Sequence, residues 1–164
     1  MPIQQQKSRR PKKLTEYAQQ LIEKQKTKQA YGMREKQFRR YFTMAAKFRG
    51  KTGEMLLQTL ERRLDNVVFR SGLATTRAQA RQAVSHRHFT LNGQRVSVPS
   101  ILVNVKDVIA PHRSDDFTYS PETASADWLK VDKKTGKIVV ERLPETGELP
   151  LEFDTQKIIE FYSR

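Results

Sequence analysis

The hydrophobic pattern of this chain changes period midway, and that change fixes its fold class. As far as Val84, apolar residues recur at helical spacing; from Phe89 they alternate. Phe89-Thr90-Leu91 and Gln94-Arg95-Val96-Ser97-Val98 flank Asn92-Gly93, the dipeptide best suited to a type I′ hairpin turn. A further strand runs from Val105 to Ile109, after Pro99. Helices followed by a hairpin and a strand predict an α+β chain with a small antiparallel sheet.

The helices carry their own signals. Thr15 predicts an N-cap for a helix running to about Tyr31. Leu14, Tyr17, Ala18, Leu21 and Ile22 have the spacing of one buried face. Lys24, Lys26 and Lys28 suit the negative end of the helix dipole, and Gly32 suits a left-handed stop. A second helix spans about Met33 to Arg49. Phe38, Tyr41, Phe42, Ala45 and Phe48 form its apolar stripe, which reads as core, with Lys36, Arg39, Arg40 and Lys47 on the other side. Thr52 then caps a short helix near Glu54–Leu60. Another passes through Leu64, Val67, Val68 and Phe69 and stops at Gly72. Thr76-Arg77-Ala78-Gln79 has the capping-box pattern and opens a helix through Ala80, Ala83 and Val84. Residues 114–127 read as a loop. Trp128-Leu129-Lys130-Val131 and Lys137-Ile138-Val139-Val140 predict two strands, with Trp128 a packing anchor, and Gln156 to Tyr162 a closing helix.

Charge says what the folded chain meets. Its 164 residues hold 31 Lys and Arg against 18 Asp and Glu, a net charge of +13, which draws it toward polyanions. Residues 1–51 carry 15 basic residues and 3 acids, residues 52–113 carry 9 and 4, and residues 114–164 carry 7 and 11. A charge serving solubility alone would be spread evenly; this one marks a binding face in the first two-thirds. No apolar run approaches the roughly 18 residues of a membrane-spanning helix. The polar N-terminus is unlike a signal peptide. Without cysteine there are no disulfides or thiolate metal sites. A cytoplasmic protein is expected.

Motifs of other chemistries are weak. Ala45-x-x-x-x-Gly50-Lys51-Thr52 loosely fits a phosphate-binding loop, but a helix precedes it where that motif needs a strand. His86-Arg87-His88 lacks the carboxylate or cysteine partners of a metal site, and Asp115-Asp116 lacks a nucleophile. No cofactor, metal or catalytic residue is expected, and the chain reads as no enzyme.

Three runs, Arg62-Arg63-Leu64-Asp65-Asn66-Val67-Val68-Phe69-Arg70, Thr76-Arg77-Ala78-Gln79-Ala80-Arg81-Gln82 with Val84-Ser85-His86, and Leu91-Asn92-Gly93, closely resemble the RNA-binding module named after ribosomal protein S-four. That module occurs also in pseudouridine synthases, tyrosyl-tRNA synthetases and a small heat-shock RNA-binding protein. The flanks Glu23-Lys24-Gln25-Lys26, Ala30-Tyr31-Gly32, Glu35-Lys36-Gln37-Phe38-Arg39, Thr52-Gly53-Glu54-Met55-Leu56 and Ile158-Ile159-Glu160-Phe161-Tyr162-Ser163-Arg164 resemble the ribosomal S-four family itself.

Pro2, Pro11 and the cations Lys7, Arg9, Arg10, Lys12 and Lys13 mark a basic arm over 1–12, expected to be disordered until it meets a partner; from about residue 12 on, the resemblance implies a basic helical domain over 13–61. The module, two helices and a small antiparallel sheet, covers 62–113, and acidic strands and a helix over 114–164 complete the helical domain. It implies a structural protein of the small ribosomal subunit that binds the 5′ domain of its ribosomal RNA early in assembly. The neighbours expected are ribosomal proteins S-three and S-five and messenger RNA near the entry channel, in a cytoplasmic or an organellar ribosome. The family's usual N-terminal segment, which binds zinc in some members, has no counterpart here, so its metal and contacts are not carried over. The expected RNA contacts are Arg9, Arg10, Lys12 and Lys13 in the arm, and Lys36, Arg39, Arg40, Lys47, Arg49 and Lys51 in the helical domain. In the module they are Arg63, Arg77, Arg81, His86, Arg87 and Asn92. A one-turn spacing lets Arg77 and Arg81 straddle a phosphate run. An RNA-modifying enzyme would need a catalytic domain that the 51 residues after the module cannot supply, and a free stress factor would need a basic tail.

Overall fold

A computed structural model describes residues 12–113 and 125–164. The arm residues 1–11 and the connection over 114–124 lie outside them.

Local signals set the first helices. The Thr15 side chain accepts a hydrogen bond from the Ala18 amide at 3.2 Å and starts α1, Glu16–Ala30. Gly32 stops it at φ +64°. α2 is Glu35–Ala45, shorter than the apolar spacing suggested. The Lys47 and Phe48 amides bond back three residues, to Met44 and Ala45, and this tighter turn ends the helix before Gly50 at φ +79°. Phe48 therefore leaves the stripe and is half exposed, while Phe38, Tyr41 and Ala45 are buried. α3 (Thr52–Glu61) and α4 (Leu64–Arg70) follow. Thr52 is the first residue of α3 and not its cap; that place falls to Lys51, which makes no side-chain cap bond. Thr76 caps α5, Arg77–Ser85, by accepting from the Gln79 amide, whereas Gln79 reaches past it to the Thr75 amide and hydroxyl.

β1 (Phe89–Leu91) and β2 (Gln94–Val96) form the expected hairpin, with Asn92 at φ +51° and Gly93 at +85°. β3 is Val108–Pro111. It starts later than expected because Asn104–Asp107 is a turn, with Lys106 at φ +73°. β4 (Leu129–Val131) and β5 (Ile138–Val140) did not join the helical domain. Val108 pairs with Val139 and Ile109 with Ile138, so the five strands form one antiparallel sheet in the order β2-β1-β3-β5-β4. The later part of the acidic segment packs on the helical domain: the Pro144 carbonyl accepts from Gln58 on α3, and Leu149, Phe153 and α6, Thr155–Tyr162, join its core. The fold class is α+β.

Two cores result. One joins α2, α3 and α6 around Phe38, Leu56, Leu60 and Ile158. The other lies between α4, α5 and the sheet, around Val67, Ala80, Phe89, Ile109, Trp128 and Ile138. α1 packs against α6 by a face its apolar residues did not mark. Gln20, Lys24 and Thr27 are buried, while Leu14, Tyr17 and Ile22 stay about half exposed. The reason is polar pairing: Lys24 donates to Glu35 at 2.8 Å and lies over the Phe161 ring, and Gln20 donates to Glu160 at 3.1 Å.

Candidate nucleic-acid interface

α2 presents the clearest charged face. With Phe38, Tyr41 and Ala45 turned inward, helical geometry puts Lys36, Arg39 and Arg40 outside; these three, and Lys47 in the turn after the helix, are exposed. Arg49 and Lys51 extend this surface through the following loop, and Lys12 and Lys13 are exposed ahead of α1. The one carboxylate of α2, Glu35, is turned toward Lys24, Lys28 and the Tyr162 hydroxyl. The outer face keeps an undiluted positive charge. Arg34, exposed just before α2, adds to it; its position after the Gly32 stop was the sequence signal available.

The arginines expected in the module divide between surface and interior. Glu61 ends α3 as a buried hub between the two cores. Its carboxylate accepts from the Tyr31 hydroxyl at 2.6 Å, from Asn66 at 2.8 Å and from two nitrogens of Arg70 at 2.9 and 3.0 Å. Burial and the neighbouring Glu61 charge both push the Tyr31 hydroxyl pKa up. Burial works against the Arg70 charge, but the Glu61 carboxylate outweighs it and raises the pKa. Both groups keep their protons, so the hub stays bonded at neutral pH.

Arg77 belongs to this seam. Its Nε donates to Asn66 at 3.0 Å, and its guanidinium lies 4.6 Å from the Tyr31 ring centroid and 4.8 Å from that of Phe69. Sandwiched in this way, its guanidinium is held in the seam, one helical turn from Arg81. Arg63 is fully buried, with Nε and Nη2 on the Asp65 carboxylate at 3.2 and 3.1 Å and its plane over Tyr41. It is a structural residue and leaves the set of surface contacts. Arg81 remains half exposed, donating to the Gly32 carbonyl at 3.4 Å and lying 3.9 Å from Asp65. That bond brings α5 against the turn between α1 and α2. A cleft of about 430 Å³ opens there, lined by Tyr31, Gly32, Phe69, Thr76, Arg77 and Arg81 among others. Arg77 and Arg81 of α5 thus face the turn after α1 across this cleft, whose lining also includes Asp65.

The rest of the module's set lies beyond the α5 C-terminus. His86 caps the helix and is exposed, and Arg87 is exposed at φ +65°. The Arg87 carbonyl accepts from Arg95 Nε at 2.9 Å, and Arg95 is an exposed cation that sequence reasoning missed. Asn92 is committed to the hairpin: it donates to Asp107 at 3.0 Å and accepts from the Val108 amide at 2.9 Å. Arg9 and Arg10 fall outside the described residues. Among those described, no group of His, Asp and Glu could hold a metal ion.

Comparison with known proteins agrees in both halves. Residues 1–61 match the family described as ribosomal protein S4/S9 N-terminal domain, and residues 62–109 match the S4 domain. The small ribosomal subunit protein uS4A of Symbiobacterium thermophilum is 49% identical over 160 residues, covering 93% of this chain and 77% of that protein. The chain belongs to the uS4 family of small ribosomal subunit proteins. The uS4 proteins of Aquifex aeolicus (49% identical, 94% of this chain, 79% of theirs) and Cutibacterium acnes (47%, 92% and 79%) agree. The two family matches meet between Glu61 and Arg62, at the hub that joins the two cores.

Proposed function

We propose that this uS4 chain is a structural, non-catalytic constituent of its ribosome that holds the 5′ domain of small-subunit ribosomal RNA early in assembly. The observation that carries this reading is the basic surface of α2 and the turn after it, where Lys36, Arg39, Arg40 and Lys47 stand exposed. Such a face binds phosphates and releases their counterions. Arg81 adds an exposed cation from the module, and a folded RNA junction is recognised by the shape of the surface that carries such charges. Resemblance to the family adds the cytoplasmic small subunit, the neighbours S-three and S-five and the vicinity of the messenger entry channel. No described helix is long and apolar enough to cross a membrane.

The test is a titration of the chain against the 5′-domain RNA and an unrelated folded RNA of equal length across a salt series. The wild type should prefer the 5′ domain at every salt concentration. The triple variant Lys36→Gln/Arg39→Gln/Arg40→Gln should bind that RNA roughly 10–100-fold more weakly, with a salt slope shallower by about two. Equal binding of both RNAs by the wild type would sink the reading.

A further inference from the structure

The apolar stripe of α2 ends on a ring that the core does not take. Phe48 is spaced to follow Phe38, Tyr41 and Ala45 inward, but it belongs to neither core and is 53% exposed. Phe42, by contrast, stacks on Tyr162 with ring centroids 4.5 Å apart. One other aromatic ring is exposed among the described residues, that of Tyr17, and it lies 5.8 Å from the Phe161 ring and beneath the Arg164 guanidinium. Neither arrangement extends to Phe48.

The backbone fixes Phe48 at the surface. Its amide donates to the Ala45 carbonyl at 3.0 Å, and its carbonyl accepts from the Lys51 amide at 3.1 Å. Gly50, at φ +79°, completes the reversal in a conformation that a side chain would strain. The turn is therefore formed before any partner arrives, and fixing the ring against one costs the freedom of only two torsions. The surroundings are cationic. From Lys36 to Gly53 the sequence holds six Lys and Arg and no carboxylate. Lys47, Arg49 and Lys51 flank the ring along the turn, all exposed. Arg40 and Met44, the latter 41% exposed, precede it at intervals of one helical turn.

An exposed ring among cations suits a ligand that joins negative charge to a flat apolar face. A nucleotide whose base lies outside a helix has both, with phosphates on either side and an open π face. Inside a paired helix the neighbouring bases cover that face. We propose that Phe48 stacks on an unpaired base of the RNA while Lys47, Arg49 and Lys51 hold the phosphates flanking it. Because every base has such a face, the contact selects an unpaired nucleotide and not a particular sequence. The proposal rests on the reading of the chain as an RNA-binding protein and adds a means of telling a junction from a plain duplex.

The test compares the full chain with Phe48→Ala, Phe48→Leu and Phe48→Trp over a salt series. Three RNAs of equal length are used: the 5′-domain RNA, the unrelated folded RNA and a fully paired duplex. Phe48→Ala should bind the 5′-domain RNA roughly five- to fiftyfold more weakly. Its salt slope should not change, because a ring releases no counterions. Phe48→Leu should be nearly as weak, whereas Phe48→Trp should bind at least as tightly as the wild type. On the duplex all four proteins should bind alike. Urea midpoints should agree among them, since the ring lies outside both cores; should Phe48→Ala melt early, Phe48→Leu against Phe48→Trp carries the test. Wild-type binding of the 5′ domain by Phe48→Ala or Phe48→Leu, or an equal loss on the duplex, overturns the stacking contact and leaves the main reading standing. If the wild type shows no preference for the 5′ domain while Phe48→Ala weakens binding to both folded RNAs, the main reading fails and the stacking contact stands.

Discussion

The seam between the two cores and the outer face of α2 are built from the same side chains and use them in opposite ways. At the seam, Arg63 has Asp65, Arg70 has Glu61, and Arg77 has Asn66 and two aromatic rings. On α2, Lys36, Arg39 and Arg40 project into solvent from a helix whose sole carboxylate is engaged elsewhere. A buried guanidinium must be neutralised and hydrogen-bonded, because an uncompensated buried charge is costly. An exposed one is already solvated and keeps its charge for a partner. The same residue type therefore supports the fold in one place and is available for binding in the other, and mutation should separate the two roles.

The largest effect is expected at Arg63. Arg63→Ala leaves the Asp65 carboxylate, 3% exposed, without its bidentate partner. Removing one member of a buried pair costs about 3–5 kcal/mol, so the urea midpoint should fall steeply. The α2 triple variant should move that midpoint little, since each exposed change is worth within about 0.5 kcal/mol. If Arg63→Ala melted like wild type and instead lost RNA affinity selectively, the division between seam and face would be wrong at its clearest point.

Arg77 sharpens the comparison because it stands at the edge of the crevice. Arg77→Lys keeps the charge but loses the planar group held between Tyr31 and Phe69 and the directed bond to Asn66. The loss should be about 1–2 kcal/mol in a denaturant melt. A phosphate contact would be largely preserved by lysine. Unchanged stability with a reduced salt slope would return Arg77 to the binding surface, whereas lower stability with an unchanged slope in the folded protein places it in the seam.

What the sequence revealed follows the range over which each signal acts. Thr15, Thr76 and Asn92-Gly93 were legible because a cap or a tight turn is satisfied within a few residues. The inward stripe of α2 was legible through Phe38, Tyr41 and Ala45, and with it the outward set Lys36, Arg39, Arg40 and Lys47. The two late strands could be recognised, but not their partner, since the Val108–Val139 pairing is set 31 residues apart and depends on the whole sheet. The packing face of α1 was misread because it buries Gln20 and Lys24, whose partners Glu160 and Glu35 lie on α6 and α2, and Thr27, which bonds back to the Glu23 carbonyl. Arg63 and Arg77 were placed outside for the same reason, since a guanidinium reads alike in sequence whether its partner is RNA or a carboxylate.

Glu35 offers the finest test, because it begins the helix that carries the exposed cations and yet bonds inward. Its carboxylate accepts from Lys24 at 2.8 Å and from the Tyr162 hydroxyl at 3.2 Å, and it forms an ion pair with Lys28 at 3.4 Å. Burial alone would raise its pKa, but these donors outweigh burial and hold it below the ordinary 4.5. A carboxyl depressed in the folded state stabilises it at pH values above the unfolded value, and that contribution disappears as pH falls through the folded value. The Glu35 side chain is 39% exposed, so solvent screening keeps the effect to roughly 0.5 kcal/mol. Glu35→Gln should therefore melt slightly below wild type at pH 7, and the gap should close as pH falls below about 4. Raising salt to about 1 M should narrow it at neutral pH. A gap that stayed constant from pH 3 to 8 would mean that Glu35 acts by packing alone. The border between the two regions would then be set by shape, with charge playing no part in turning this end of α2 inward.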